Sequence, residues 1–414
     1  MEIIKNLKEL KKSELVSGSL VLLILFNIGN VFSYLFQVSM ARMLGPVDYG
    51  TLAVLTSIIY IFTVPTMSIQ TIVSKHTTGI LVKKELGKIK GFFRYMIKRM
   101  FLIAFIIFVI FSIVSIYLSK TLNIPIGLLT LTGFFIFGAF IYPVATGVLQ
   151  GMKKFNAWGC NSILNSFVKL VFAILFVLIG FKVYGAVLGF ILGTLISFFI
   201  IIPYIRRAIY VKEIDEKIKI FSKETIATFL AMLFIVIIYS SDIIFARMFF
   251  SSDIVGKYAV ISMIGKIILF GAMGIGNAMF PISSEKFESG NKTRGVIKKA
   301  FIATLVWCGG LVLGFLIFPE LVIKILFGTQ YLSLQNILIY IGIAFSFISF
   351  FNIFILYKIS NNKFKLKHIF YLIIFLSIQV VFFYIFHKSI ESFSLGFMFS
   401  TIITFIGSLI LIRK

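Results

Sequence analysis

Residues 41–50, ARMLGPVDYG, form a short polar segment between two long apolar runs, and residues 246–256, ARMFFSSDIVG, repeat it. The two copies share an Ala-Arg-Met triplet and an aspartate at a constant offset of 205 residues. One inserted residue then aligns Gly50 with Gly256. A repeat of this kind in an apolar chain is typical of a duplicated membrane unit. The number of helices around each copy therefore decides the fold.

The composition requires a lipid environment. The chain has 414 residues, of which 60% are hydrophobic and 13% charged, and its mean hydropathy is +1.07. Soluble domains carry about 25% charged residues, so no aqueous fold hides this much apolar surface. The net charge of +25 comes from 40 Lys and Arg against 15 Asp and Glu. In a membrane protein such an excess marks cytoplasmic loops, and we expect no nucleic-acid partner.

Twelve apolar segments are long enough to cross a bilayer, which takes roughly 20 residues. They span residues 15–41, 50–74, 99–119, 126–149, 158–180, 183–205, 225–248, 255–281, 299–319, 333–357, 368–387 and 393–412. The sequence therefore predicts an all-α integral membrane protein. Residues 1–14 are basic and amphipathic, which is typical of a helix on the cytoplasmic lipid surface or of a solvated tail.

The basic residues alternate between the two sides of the membrane along all twelve spans. Thirty-one Lys and Arg fall on one side and seven on the other, and Lys169 and Lys266 lie within spans. Basic loops face the cytoplasm, so we expect both termini there and a location in the cytoplasmic membrane.

The charged segment 206–223 divides the spans into two sets of six. It predicts an N-lobe over residues 15–205 and a C-lobe over residues 224–414. Both copies of the repeat fall on the predicted outer face, so the repeat is parallel. We therefore expect two six-helix lobes around a central cleft.

The residue inventory argues against catalysis. The three histidines are far apart in sequence, and no metalloprotease, nucleophile-elbow or phosphate-loop motif is present. No pair of carboxylates shares an outer loop as a general acid and base would. We expect no cofactor or metal. Coupling to sodium or protons is left open, with no ion site assigned.

Four polar residues within the spans are the candidate substrate-binding residues. Lys169 and Lys266 lie near the middle of spans 5 and 8, and Asp242 lies in the outer half of span 7. The repeat offset pairs Asp242 with Gln37. Such residues usually face a bundle interior or an aqueous cavity.

Each of the charged residues also has a simpler interpretation. Asp242 pairs with Lys266 or Arg247 if its role is only to hold two helices together. Asp242 is the only acid well inside a span, so Lys169 has no obvious acidic partner, which favours a cavity-facing ammonium over one that extends to the interface. An excess of basic groups in the cavity favours an anionic cargo such as phosphate or pyrophosphate.

The charged residues of the repeat form a second candidate set. Arg42, Asp48, Arg247 and Asp253 lie at the predicted outer ends of the spans. They are candidates for an outer gate or for anchors at the interface. The arginines either cap nearby helix carbonyls or contact substrate.

Two segments resemble a known family. Residues 41–58, ARMLGPVDYGTLAVLTSI, resemble the first outer loop and second helix of polysaccharide-biosynthesis membrane proteins. Residues 149–166, LQGMKKFNAWGCNSILNS, resemble the loop between their fourth and fifth helices. These are the O-antigen-type flippases of the multidrug/oligosaccharidyl-lipid/polysaccharide exporter superfamily.

The resemblance implies a function that spacing alone does not. Such proteins move undecaprenyl- or dolichyl-linked oligosaccharides between leaflets by alternating access. The implied partners are membrane lipid, a polyprenyl-linked oligosaccharide and glycan-assembly glycosyltransferases. A flippase predicts a basic cleft that opens to lipid.

A cation-coupled multidrug antiporter of the same fold is the alternative, and it predicts an acidic, closed pocket. In that case Asp242 would carry the proton. The drug-exporting branch places its cation site on acids of the N-lobe. Spans 1–6 contain no acid well inside the membrane, so that site is not transferred to this chain.

Overall fold

The computed structural model of the chain describes residues 14–82, 86–209 and 223–411. Their regular structure is entirely helical, with no strand in these three ranges. The all-α membrane fold expected from the sequence is confirmed. The basic segment 1–14 and the linker 206–223 lie largely outside the described residues, so both remain predictions.

Thirteen α-helices are present in the described ranges. In the first half of the chain they are α1 (Glu14–Val82), α2 (Leu86–Leu122), α3 (Ile126–Gly133), α4 (Phe135–Gly151), α5 (Phe155–Phe176) and α6 (Lys182–Ile209). In the second half they are α7 (Lys223–Phe249), α8 (Ser252–Glu288), α9 (Arg294–Ile317), α10 (Pro319–Leu326), α11 (Leu338–Ser360), α12 (Lys367–Ile385) and α13 (Ile390–Leu411).

Ten helical stretches of the described residues are long and apolar enough to cross a membrane. Two of them, 24–82 and 155–205, contain 59 and 51 residues. Straight helices of that length would measure roughly 75–90 Å, against a hydrocarbon core of about 30 Å. Each is interrupted by a glycine with positive φ, and division there would give twelve spans. The exact count of twelve remains a prediction.

The first interruption lies in the opening segment of the repeat. Gly45 has φ 70° and ψ 174°, which is not a helical conformation. The next residue is Pro46, whose ring disfavours helical geometry in the residue before it and which has no N–H to donate. Glycine tolerates positive φ at no steric cost. The Gly45-Pro46 pair therefore ends one helical arm of α1 and begins the next.

The second interruption joins α5 to α6 through a single π-helical turn, Val177–Phe181. Gly180 has φ 100°, and Lys182 also has positive φ at 47°. The predicted spans 158–180 and 183–205 leave only two residues between them, which agrees with so short a turn. The turn leaves α5 and α6 adjacent along their length.

The helices differ from the predicted spans mainly at their ends. α2 begins at Leu86 rather than near residue 99, and α8 continues to Glu288 rather than residue 281. Hydropathy marks only the apolar stretch, whereas a helix continues wherever its backbone hydrogen bonds stay satisfied. The predicted spans 299–319 and 333–357 leave residues 320–332 as a connecting loop, whereas the structure has α10 and a 3₁₀ helix, Thr329–Ile337, there.

Residue proximity divides the chain into two compact units. The first contains residues 1–43 and 65–220, and the second contains residues 44–64 and 221–414. In the first unit, α5 packs closely on α6, and α2 packs on α4. In the second, α8 packs on α11, and α13 packs on α11 and α12. The lobe boundaries inferred from the sequence remain a prediction, since residues 44–64 group with the second unit.

Candidate functional site

In the first unit Lys169 has a buried side chain surrounded by hydroxyl groups and aromatic rings. Its Nζ donates a hydrogen bond to Ser33 Oγ at 3.1 Å, and Ser33 Oγ donates to Ser166 Oγ at 3.1 Å. The ammonium also lies 4.8 Å from the ring centre of Phe190 and 5.2 Å from that of Phe36. No carboxylate of the described residues lies within 4.0 Å of it.

Close packing of two helices fixes this position. A Cβ on Gly189 would lie 2.7 Å from the Lys169 carbonyl oxygen, and one on Gly193 would lie 3.0 Å from Lys169 Cβ. Both glycines are on α6, and the absence of their side chains lets its backbone approach α5. The close approach of the two backbones therefore places Lys169, on α5, against Phe190, on α6.

Hydroxyl groups and rings stabilise the ammonium only in part. Aromatic faces attract a cation by roughly 0.5–2 kcal/mol, and an ammonium has three N–H donors. Only one donor is used in a hydrogen bond to a described residue, Ser33. The remaining donors and the unbalanced charge suit an anionic group. Gln37 is also buried in this unit, and no hydrogen bond joins it to Lys169.

The second unit holds the other buried charges as a pair. Lys266 Nζ lies 3.8 Å from Asp242 Oδ1, and the two side chains are 1% and 0% exposed. Asp242 Oδ2 accepts hydrogen bonds from Ser262 Oγ at 2.5 Å and from Tyr258 OH at 3.4 Å. The ammonium also lies 5.8 Å from the ring centre of Phe345. The sequence offered Lys266 and Arg247 as partners of Asp242, and Lys266 forms the ion pair.

A buried amide extends this cluster. Gln379 Nε2 donates to the carbonyl oxygen of Ile238 at 3.0 Å and to Ser241 Oγ at 3.1 Å. It joins α12 to the turn of α7 that precedes Asp242. Because water is absent from the hydrocarbon region, such groups must find partners within the protein.

The two centres differ in their net charge. The acid in the second unit neutralises its lysine, and hydroxyl groups orient the acid. No described residue offers the lysine in the first unit such an acid. The carboxylate and its donors can hold or release a proton or cation, whereas the uncompensated ammonium can accept an anion.

The charged residues of the repeat have separate environments. Arg42 is exposed, Asp48 is partly buried and Arg247 is buried. Asp253 lies in the first turn of α8 and forms an ion pair with Lys257 at 2.7 Å, one helical turn along. An acid at this position also stabilises the positive end of the helix dipole. Asp253 therefore has a local structural role, and its role in a gate remains a prediction.

The aligned glycines of the two copies contact each other within the second unit. A Cβ on Gly50 would lie 2.8 Å from both Gly256 N and Ser252 O. A Cβ on Gly256 would overlap the carbonyl oxygen of Pro46 and lie 2.9 Å from Pro46 Cα. Only glycine permits this approach.

Several residues of both centres were not singled out from the sequence. Ser166 and Ser262 lie three and four residues before the two lysines, which places each on the same helix face as its lysine. Gln379 is an amide inside an apolar span, which is itself a signal. Ser33, Tyr258, Phe36 and Phe190 carry no such signal, since their roles depend on which helices meet.

Solved structures with the same fold are membrane transporters. An inward-facing multidrug resistance MATE family transporter of the MOP superfamily matches with TM-score 0.69 and 16% identity, over 92% of this chain and 94% of that one. The outward-facing form matches with TM-score 0.65 and 16% identity, over 96% and 95%. A MOP superfamily transporter from Pyrococcus furiosus, whose binding pocket is described as reversed in polarity, matches with TM-score 0.60 and 15% identity, over 96% of each chain. The chain thus shares the fold of these transporters.

Sequence comparison gives the family. The family model for polysaccharide biosynthesis proteins matches residues 15–287, and the chain belongs to that family. An uncharacterized membrane protein of Methanocaldococcus jannaschii is 26% identical over 203 residues. The match covers 45% of this chain and 39% of that relative, so this chain spans only about two fifths of the relative's length.

Proposed function

We propose that this transporter moves a polyprenyl-linked phosphate or pyrophosphate oligosaccharide across the cytoplasmic membrane for the synthesis of cell-surface glycans. Transport proceeds by alternating access, with both termini of the chain in the cytoplasm. The observation that carries the proposal is the ammonium of Lys169, which is buried without a carboxylate within 4.0 Å among the described residues.

An anionic headgroup supplies what the Lys169 centre lacks. Phosphate oxygens accept hydrogen bonds from an ammonium and neutralise its charge, and such charge-assisted bonds are short and strong. Ser33 and Ser166 lie beside the ammonium and offer further hydroxyl groups. The polyprenyl tail stays in lipid, where its burial costs nothing. Glycan-assembly glycosyltransferases would supply and consume this cargo.

The second centre takes part by exchange of partners. An arriving phosphate competes with Asp242 for Lys266, which frees the carboxylate to take up a proton or cation. Ser262 and Tyr258 keep hydrogen bonds to the carboxylate during that exchange. This links cargo binding to an ion without requiring an acid in the first unit.

Two comparisons support an anionic cargo. The family of the chain is described by polysaccharide biosynthesis. The similar transporter from Pyrococcus furiosus is described as having a reversed pocket polarity that suggests a different function. Neither comparison names the cargo of this chain.

A cation-coupled multidrug-type antiporter is the second candidate, favoured by the fold shared with multidrug transporters. It would use Asp242 as the proton site. The ion pair with Lys266 weighs against it, because a pocket for cationic drugs needs a carboxylate that is not already neutralised.

Reconstitution into liposomes tests the proposal. The protein is given a fluorescent polyprenyl-pyrophosphate sugar on one leaflet, and its appearance on the other leaflet is measured. The expected result is translocation by the wild type and at least a tenfold loss for Lys169→Met, which keeps the side-chain length and removes the charge. Lys169→Arg should retain part of the rate.

Lys120→Met is the matched control, since that lysine is exposed in the same unit. Full translocation by Lys169→Met would overturn the role of Lys169. Export of a cationic dye without translocation of the lipid-linked sugar would replace the proposed function with the antiporter.

A further inference from the structure

The turn between α11 and α12 gathers basic side chains around a buried histidine. Lys363 and Lys365 lie in the turn, Lys358 lies in the last turn of α11 and Lys367 begins α12. His368 follows directly and is only 2% exposed. Three of the lysines, at 358, 365 and 367, lie within electrostatic range of the histidine ring. This turn is outside both centres described above.

The local backbone explains why the two helices follow each other so closely. Asn362 has φ 53°, a left-handed conformation that asparagine tolerates better than most residues. It ends α11 with two hydrogen bonds, Asn362 N to Ile359 O at 3.0 Å and Lys363 N to Lys358 O at 2.9 Å. This is the pattern of a helix C-cap, and it turns the chain back at once into α12.

A backbone hydrogen bond to the histidine ring defines which ring nitrogen carries the proton. Its Nδ1 accepts a hydrogen bond from the backbone N–H of Lys365 at 2.9 Å, so the neutral ring carries its proton on Nε2. Nε2 has no hydrogen-bond partner among the described residues, and it is not completely covered by neighbouring atoms. An N–H donor with some solvent access therefore lies in a segment that carries several lysines.

The neighbouring ammonium groups are not neutralised by carboxylates of the described residues. No carboxylate of the described part of the chain pairs with Lys363, Lys365 or Lys367 within 4.0 Å. Lysines with an imidazole N–H form a donor set for an anion with several oxygens, which phosphate satisfies.

An apolar stripe begins at the same turn. Leu366, Phe370 and Ile373 are 46%, 64% and 48% exposed, and their spacing of four and three residues places them on one face of α12. A free anion would make no contact with this apolar stripe, whereas the acyl chain of a lipid would lie along it. We infer that this turn binds the phosphate headgroup of an anionic membrane lipid, with the lipid chain against α12.

The sequence places the turn on the predicted cytoplasmic side. That leaflet is rich in anionic lipids, and each basic residue near the surface strengthens their binding. The site needs no cargo and would be occupied in the resting transporter. It is therefore independent of the proposed function.

Native mass spectrometry of the full-length protein tests this site. Detergent-purified protein is titrated with dioleoyl phosphatidylglycerol, and the occupancy of the tightest-bound lipid is followed. Lys365→Ala and Lys367→Ala should each weaken that binding about fivefold, the equivalent of about 1 kcal/mol. Both lysines are exposed, so these variants keep the fold. His368→Phe keeps a ring against Phe364 and Tyr371, removes the donor and should also weaken binding.

Controls separate the possible sources of the anion. Lys292→Ala and Lys298→Ala remove exposed lysines elsewhere on the predicted cytoplasmic side and should leave the tightest site unchanged. Dioleoyl phosphatidylcholine should bind weakly, and inorganic phosphate should not displace phosphatidylglycerol at equal concentration. Displacement by inorganic phosphate, or equal losses in all the lysine variants, would overturn the inference of a lipid site.

Discussion

Gly50 and Gly256, which occupy aligned positions in the two copies of the repeat, pack backbone against backbone within the second unit. A Cβ on Gly50 would lie 2.8 Å from Gly256 N. The carbonyl oxygen of Ser252 would lie at the same distance from that Cβ. The contact therefore leaves no room for a side chain at Gly50.

This contact predicts that alanine is not tolerated at either glycine. Gly50→Ala and Gly256→Ala place a methyl group against rigid backbone atoms, and overpacking of this kind costs about 1–3 kcal/mol. Both variants should lower the thermal unfolding midpoint of the detergent-solubilised protein. Gly274→Ala is the matched control, because it lies on the same helix as Gly256 and its Cβ meets nothing within 4 Å. A midpoint equal to that of Gly274→Ala would show that the contact is not tight.

The buried ion pair of the second unit predicts strong coupling between two substitutions. Asp242→Asn or Lys266→Met alone leaves a buried charge without its partner, which costs about 3–5 kcal/mol. The double variant removes both charges and should recover more than half of that loss. A double-mutant cycle on thermal unfolding measures the coupling. Additive losses would mean that the two groups do not interact in the folded protein.

The uncompensated lysine of the first unit predicts opposite effects on stability and transport. Lys169→Met removes a charge from an apolar environment, and a lysine at the centre of a membrane helix costs about 2.5–3.5 kcal/mol. The variant should therefore unfold at a higher temperature while it loses translocation. Lys120→Met, at an exposed lysine, should change the midpoint little. A lower midpoint for Lys169→Met would indicate that the ammonium is already well compensated.

The alternation of basic residues predicts the orientation of the chain. Lys292→Cys and Lys388→Cys, introduced singly into a Cys160→Ser, Cys308→Ala background, place one thiol on each predicted side. Both positions are exposed. A membrane-impermeant maleimide should label the residue 388 variant in intact cells and the residue 292 variant only after permeabilisation. The reverse pattern would invert the predicted topology.

Much of the fold follows from the sequence because the bilayer permits few solutions. An apolar chain with no water around it must form helices, so the spans and the short turn at Gly180 were predictable. The helix ends were not, because hydropathy does not detect the polar turns by which α2 and α8 extend. The helical turns between residues 319 and 337 were not predicted, since short helices bury too few residues to leave a periodic signal.

The candidate centres also combine features that the sequence predicts with features that only the structure shows. The sequence by itself determined which charges lie inside the membrane, since Lys169, Asp242 and Lys266 interrupt apolar runs. It also determined that Gly50 and Gly256 are equivalent. Only the tertiary structure decided that Lys266 reaches Asp242, that Lys169 meets Ser33, and that the two glycines touch. The physical reason is that helix periodicity fixes a residue's depth and face, whereas its partner depends on which helices pack together and how closely.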